Sequence, residues 1–291
     1  MLSKGLAAAL LCMGSAAQAL TVFACEPEWA ALTRVLLPSA KIHVATHAGQ
    51  DPHHIEARPS LIAQLRGSEL AVCTGASLEA GWLPMLQQRA GRAVPVLEAG
   101  DHVSMIDAQP GAIGTPWAGD VHAEGNPHVH ADPRNLLDVA KALAEELQRR
   151  EPAERAAIAQ RMAAFEKSWS ARIQAWQQQA LPLKGKTVAG QHSGFGYLWR
   201  WLGMTQSADL EPKPGMAPTP GHLQRLLEGL RAQPPLAVVL SSYQDPRSAR
   251  WLGQQLNRPV LVLPATVAED AGEAELARWF EGLITQLLQA K

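Results

Sequence analysis

The feature that most constrains the fold is one long helical pattern near the middle of the chain. Between residues 153 and 180, six large apolar side chains recur at steps of three and four, which places them on one face of a helix for about five turns. These residues are Ile158, Met162, Phe165, Trp169, Ile173 and Trp176. A coiled coil could carry the same stripe. Strand and helix signals resume after it, however, and favour a spine helix packed along two lobes.

Short apolar runs alternate with helical segments on both sides of this helix. The first part has candidate strands at 20–24, 41–45, 69–73 and 93–97, and candidate helices at 29–37, 59–64 and 133–150. The second part has candidate strands at 186–190, 236–240 and 259–263, and candidate helices at 196–202, 222–231, 247–256 and 274–288. Such alternation is typical of α/β folds with parallel sheets. The sequence therefore predicts two doubly wound α/β lobes joined by one long spine helix.

The first 19 residues have the composition of an export signal. Lys4 supplies a positive charge, residues 6–13 form an apolar run, and Ala-Gln-Ala at 17–19 is a small-residue cleavage site. A retained membrane anchor is the weaker alternative, because this run is too short to cross a hydrocarbon layer of ~30 Å. We predict a periplasmic protein with a signal peptide at 1–19, an N-terminal lobe at 20–150, a linking helix at 151–182 and a C-terminal lobe at 183–291.

The charge balance argues against one class of partner. The net charge is -1 at pH 7, from 26 basic and 27 acidic residues. Nucleic acids and anionic membrane surfaces attract proteins that carry a surplus of Lys and Arg. We therefore expect no nucleic-acid partner and no membrane-surface binding.

Two cysteines, Cys25 and Cys73, remain after the signal peptide, and each lies at the end of an apolar strand-like run. Pairs of cysteines in an oxidising compartment often form a disulfide. The first and third strands of a doubly wound sheet are often neighbours, so a bridge is geometrically possible. The sequence leaves a disulfide and two free thiols about equally open.

Histidines lie at three junctions marked by proline or glycine. The junctions read Asp-Pro-His-His at 51–54, Asn-Pro-His-Val-His at 126–130 and Gln-His-Ser-Gly-Phe-Gly at 191–196. His53 and His192 each follow a predicted strand, and His128 lies near the end of a long polar loop at 102–132. Ligands of open α/β sheets gather outside the carboxyl ends of the strands. The three imidazoles can therefore converge on a metal ion between the lobes.

The chain resembles the metal-binding solute-binding proteins of bacterial ABC transporters, the cluster that binds zinc or manganese. The resemblance covers essentially the whole mature chain and rests on the motifs at 51–53, 75–83, 126–133 and 192–197. It implies that His53, His128 and His192 are the metal ligands. It also implies a monomer whose partner is the membrane permease of an ABC importer.

The fourth ligand departs from the family pattern. Many relatives place an Asp before a proline late in the second lobe, but that position here is Leu263, which cannot bind a metal. Asp245, in the segment that follows the strand at 236–240, is the residue that we assign to this role. Asp120, His122 and a water molecule are the alternatives.

The ligand type favours Zn²⁺ as the transported ion. Three imidazoles with at most one carboxylate suit zinc in tetrahedral geometry, whereas Mn²⁺ prefers more oxygen ligands. A manganese-specific protein of the same fold and a protein that binds another divalent ion remain alternatives.

Two other functional classes share part of this pattern. Three protein ligands with an open position also describe a catalytic zinc, so a periplasmic zinc-dependent hydrolase is an alternative. The chain has neither a His-Glu-x-x-His pair nor a Gly-x-Ser-x-Gly elbow, and we expect no enzyme activity. A binding protein for an organic ligand would need an aromatic cleft, but four of the nine tryptophans, Trp169, Trp176, Trp199 and Trp201, lie at helical positions that favour packing.

Overall fold

The computed structural model describes residues 19–108 and 122–290, and its first lobe is built on a four-stranded sheet. The strands are β1 (Thr21–Ala24), β2 (Lys41–Val44), β3 (Leu70–Cys73) and β4 (Val96–Glu98), with helices α1 (Pro27–Leu36), α2 (Pro59–Arg66), α3 (Leu83–Ala90) and α4 (Pro133–Arg150). The spatial order is β2-β1-β3-β4, and every strand pair is parallel. All carboxyl ends of the strands therefore meet at one edge of the sheet.

A single long helix, α5 (Arg155–Gln179), follows α4 after a short 3-10 turn at Pro152–Glu154. All six residues of the predicted stripe are buried. They belong to one hydrophobic core that also contains side chains from both sheets, among them Val72 of β3 and Val239 of the second lobe. The predicted spine helix is confirmed, and it packs against both lobes.

The second lobe repeats the arrangement of the first. Its strands are β5 (Thr187–Gly190), β6 (Thr205–Asp209), β7 (Ala237–Ser241) and β8 (Val260–Leu263), with helices α6 (Gly196–Leu202), α7 (Pro220–Leu230), α8 (Arg247–Leu256) and α9 (Glu273–Gln289). The order is β6-β5-β7-β8, again parallel throughout. The predicted α/β fold with two lobes and parallel sheets is confirmed.

Two strands differ from the sequence prediction. β4 begins at Val96 rather than at residue 93, because Pro95 has no N–H to donate to the sheet. β6 was not predicted at all, because it lies at the sheet edge and only Ala208 of its five residues is buried. An exposed edge strand lacks the apolar run by which the buried strands are recognised.

A disulfide joins Cys25 and Cys73, and their Cα atoms are 4.8 Å apart. Cys25 follows β1 directly and Cys73 is the last residue of β3, so the bridge fixes the carboxyl ends of two adjacent strands. Of the two possibilities that the sequence left open, the disulfide is the one found.

Parts of the predicted loop and of the export signal lie outside the described residues. Residues 1–18 and 109–121 are in this group, and they include Asp120. A 3-10 turn at Ala99–His102 leads into the predicted loop, and another at Val129–Ala131 lies near its end. Within the part of the chain that the structure describes, no helix combines the length and the apolar character needed to span a membrane.

Candidate metal centre

Three histidines from three different segments meet between the lobes. His53 follows β2, His128 lies just before α4, and His192 follows β5. Their exposed fractions are 6%, 3% and 8%, so all three side chains are buried. One ligand atom of each histidine lies within 4.8 Å of the others. The structure therefore brings together the three imidazoles that the sequence predicted.

The spacing of the ring nitrogens suits a tetrahedral metal ion. Nε2 of His128 and Nε2 of His192 are 3.2 Å apart. Two nitrogens of a tetrahedral site with metal–nitrogen bonds of ~2.0–2.1 Å would be about 3.3 Å apart. Nε2 of His53 is buried and has no hydrogen-bond partner among the described residues. These nitrogens are placed as metal ligands would be.

Carboxylates hold the opposite nitrogen of two of the rings. Nδ1 of His53 donates to Oδ1 of Asp51 at 2.7 Å, and Nδ1 of His192 donates to Oε2 of Glu211 at 2.9 Å. A proton on Nδ1 leaves the Nε2 lone pair free to face the centre. Burial acts to raise the pKa of Asp51, but hydrogen bonds and charge from His53 hold that pKa below its usual range.

His128 is the most deeply buried of the three histidines. Burial, followed by repulsion from the neighbouring imidazoles of His192 and His53, lowers the pKa of His128 well below its ordinary value. The ring is consequently neutral at neutral pH, and a neutral imidazole is the form that binds a metal ion.

Asn126 positions His128 and ties the two lobes together. Its Oδ1 accepts from the backbone N–H of His128 at 3.0 Å, and its Nδ2 donates to the carbonyl of Ser193 at 2.9 Å. The hydroxyl of Tyr197 donates to the Asn126 carbonyl at 2.9 Å. A Cβ on Gly196 would lie 2.9 Å from Asn126 Nδ2, so glycine is required there for this close approach. The second and third histidine motifs are thus linked directly.

Two of the candidates for the fourth ligand, Asp245 and His122, line clefts that His192 also lines. Asp245 is exposed, and its carboxylate is paired with Arg247 on the rim of a cleft of ≈ 800 Å³ that His53 and His192 also line. The ring centroid of His122 is 5.3 Å from that of His53, close to the 5.6 Å that separates His53 from His192. Leu263, at the position where many relatives carry an Asp, is fully buried in the core.

Glu211 is a site residue that the sequence prediction missed. It lies two residues beyond the end of β6, and its Oε2 also accepts from the backbone N–H of Gly215. Because the sequence does not predict β6, Glu211 is not recognised as a residue at the carboxyl end of a strand. The signal that could have found it is an acidic residue in a Glu-Pro-Lys-Pro-Gly turn, which is typical of an ordered loop.

Most of the chain matches one protein family. Residues 22–290 match the family described as ZnuA, zinc-uptake complex component A, periplasmic. The chain belongs to this family. Members of the ZnuA family are metal-binding substrate-binding proteins of ABC transporters, so the chain is a binding protein and the alternative of a hydrolase is set aside.

Individual relatives agree with this assignment. The manganese ABC transporter substrate-binding lipoprotein PsaA of Streptococcus pneumoniae is 23% identical over 244 residues, which cover 81% of this chain and 76% of PsaA. A crystal structure of ZnuA has a TM-score of 0.80 at 18% identity and covers 94% of this chain and 99% of its own. The binding protein FpvC of Pseudomonas aeruginosa, solved with Mn²⁺, has a TM-score of 0.76 at 18% identity and covers 94% and 100%. These two structures share the fold of the ZnuA family with this chain.

Proposed function

We propose that this protein captures Zn²⁺ in the periplasm and delivers it to the permease of an ABC importer. The ion is the cargo and is held between the lobes by His53, His128 and His192. The observation that carries the proposal is the group of three buried imidazoles whose ligand atoms lie within 4.8 Å of one another. The spacing of His128 and His192, and the neutral state of His128, match what zinc requires.

Zinc is favoured over manganese by the chemistry of the donors. The three histidines supply nitrogen, and no carboxylate oxygen of a described residue joins them in the group with mutual distances of 4.8 Å or less. Manganese sites generally include more oxygen ligands. PsaA is named as a manganese protein and FpvC was solved with Mn²⁺, so manganese is the competing cargo that an experiment has to exclude.

In this proposal the fourth ligand is His122, Asp245 or a water molecule. Asp245, the residue assigned from the sequence, would have to leave Arg247 to reach the metal. His122 is better placed, because its ring already lies beside that of His53. We therefore rank His122 first, Asp245 second and a water molecule third.

The proposal also includes the export of the chain, its oligomeric state and its division into lobes. Residues 1–19 direct export and are removed, and the mature chain acts as a monomer. Residues 20–150 and 183–291 form the two lobes that enclose the ion, and residues 151–182 link them.

The decisive experiment is a metal competition on the purified mature protein. The protein is stripped with a chelator, refilled with equimolar Zn²⁺, Mn²⁺ and Cu²⁺, and its metal content is measured by mass spectrometry. We expect about one zinc ion per chain, lost in His192→Ala and kept in a control, His43→Ala, whose residue lies within β2. Equal zinc in His192→Ala would refute the site, and a preference for manganese would refute the cargo.

A further inference from the structure

The segment that carries His53 contains no helix or strand, and it connects β2 to α2 as a loop at residues 45–58. Asp51 ties this segment to itself. Its Oδ1 accepts from the backbone N–H of His53 at 3.0 Å and from Nδ1 of the same residue at 2.7 Å. Both bonds are local, so they orient the ring relative to its own backbone but not relative to the lobe. A precise site needs a further contact from a rigid element.

Trp82, at the start of α3, supplies such a contact. Its Nε1–H donates to the carbonyl oxygen of Pro52 at 2.9 Å. That oxygen belongs to the peptide unit that joins Pro52 to His53. The unit is planar, so its oxygen and the N and Cα atoms of His53 move together. Trp82 holds the oxygen of this unit and Asp51 holds its N–H, so the peptide in front of His53 is fixed at both edges.

The indole of Trp82 is itself firmly packed. It is 1% exposed and belongs to an apolar cluster of the first lobe that includes Leu61 of α2 and Leu86 of α3. Gly81, the preceding residue, also approaches the loop closely. A Cβ on Gly81 would lie 3.3 Å from the carbonyl oxygen of His53, and glycine avoids this tight contact. The contact to the loop therefore comes from the rigid interior of the lobe.

The turn between β3 and α3, which leads to the indole, has a well-defined shape. The carboxylate of Glu79 accepts from the backbone N–H groups of Thr74 at 2.6 Å and Gly75 at 3.1 Å. Ala76 and Ser77 have φ angles of 48° and 65°, a left-handed conformation that is uncommon for residues other than glycine. Such strain persists only where the surrounding structure holds it, and it clusters at functional sites.

We propose that Trp82 is a positioning residue for His53. Its indole N–H holds the peptide unit between Pro52 and His53, and this hold fixes where Nε2 of His53 lies between the lobes. The sequence motif at 75–83 contains none of the three histidines, and this role connects it to the metal centre. The inference rests on the proposed function, because its consequence is a tighter hold on the ion.

The test removes the indole N–H and keeps an aromatic ring. Trp82→Phe does this with a smaller ring, and replacement of Trp82 by benzothienylalanine, in which sulfur takes the place of the N–H, does it with nearly the same shape. Zinc affinity is measured by chelator competition. The backbone and ring nitrogen resonances of His53 are followed by ¹H–¹⁵N NMR in the metal-free protein. We expect both variants to bind zinc about tenfold more weakly and to shift these resonances.

Trp279→Phe is the matched control. Nε1 of Trp279 also donates to a proline carbonyl, that of Pro264, at 2.9 Å, and its side chain is 6% exposed. This bond lies within the second lobe, and phenylalanine keeps a ring beside His130, on which the indole stacks. We expect Trp279→Phe to lower the free energy of unfolding, as Trp82→Phe does, but to leave the zinc affinity and the His53 resonances unchanged.

Two results would overturn the inference. One is wild-type zinc affinity or unchanged His53 resonances in the benzothienylalanine variant, which also decides the matter if Trp82→Phe does not fold. The other is an equal loss of zinc affinity in Trp279→Phe, because any lost indole bond would then weaken the site. Failure of the proposed function is distinct: the wild-type protein would bind another ion or none, while the resonances of the metal-free protein would still report how His53 is held.

Discussion

The two lobes share one strand order but are reinforced in different ways. Sheet β2-β1-β3-β4 corresponds to sheet β6-β5-β7-β8, and the central strands of the first are joined by the disulfide Cys25–Cys73. The second lobe contains no cysteine. The first lobe also supplies two of the three histidines. The first lobe, cross-linked by the disulfide, therefore carries His53 and His128, and the second lobe contributes His192 to the proposed site.

Removing the disulfide has the largest expected effect on stability. The disulfide closes a loop with a sequence separation of 48 residues, and its removal in Cys25→Ala/Cys73→Ala should lower the free energy of unfolding by about 4 kcal/mol. Urea denaturation measures the loss, and the wild-type protein treated with a reductant is the control that should match the variant. A variant as stable as the oxidised wild type would show that the first lobe does not depend on the bridge.

Because the carboxyl group of Glu79 in the first lobe is buried, we expect the free energy of unfolding to depend on pH. Burial raises the pKa of Glu79 to about 7, from an ordinary value of 4.5. The folded protein therefore binds more protons than the unfolded chain between these values, and the contribution of Glu79 to stability is lost as the pH rises through 7. We expect the wild-type protein to lose stability between pH 4.5 and 8, whereas Glu79→Gln does not lose this contribution. The difference between their free energies of unfolding, measured by urea denaturation, should therefore shift in favour of Glu79→Gln as the pH rises. A difference that stays constant with pH would contradict this.

The carboxylates that hold His53 and His192 allow a comparison at the proposed metal site. Glu211 is 13% exposed and Asp51 is 35% exposed. A more buried hydrogen bond is stronger and is less screened by water. We expect Glu211→Gln to weaken zinc binding by about 10–100-fold and Asp51→Asn by less, measured by chelator competition. Glu228→Gln, on the exposed face of α7, serves as the control, and equal losses for both site variants would remove the distinction between the lobes.

The fourth ligand gives the smallest expected effect. His122 comes from the loop that precedes α4, and Asp245 comes from the second lobe. We expect His122→Ala to weaken zinc binding by about tenfold, or ~1.4 kcal/mol, and Asp245→Ala to leave the affinity nearly unchanged. Isothermal titration of both variants against the wild type measures this. The reverse ranking would assign the fourth position to the second lobe, as the sequence first suggested.

Most of the fold could be predicted because buried elements leave a periodic apolar pattern. The stripe of α5 and the runs of β1, β3 and β7 are of this kind, and each was found. The exposed edge strand β6 has no such pattern. Because β6 was not predicted, Glu211 was also missed: site candidates in this fold are recognised by their position after a strand.

The histidines show what local sequence can and cannot specify. His53, His128 and His192 could be predicted because each lies in a motif that marks the end of an element. Their convergence to within 4.8 Å depends on contacts between distant segments, such as Asn126 with Ser193, that no single motif encodes. For the same reason, the position of Asp245 relative to the metal could not be deduced from its motif.

The unbroken core along α5 has a thermodynamic consequence for the whole molecule. Side chains of both sheets pack into one apolar cluster around this helix. Each lobe also has a smaller apolar cluster of its own, but melting of one lobe alone would expose the apolar side chains of the shared cluster, so heating should give a single calorimetric peak. Any substitution that loosens one lobe lowers the melting temperature of both. A metal ion bound at the proposed site should likewise raise one common melting temperature rather than two separate ones.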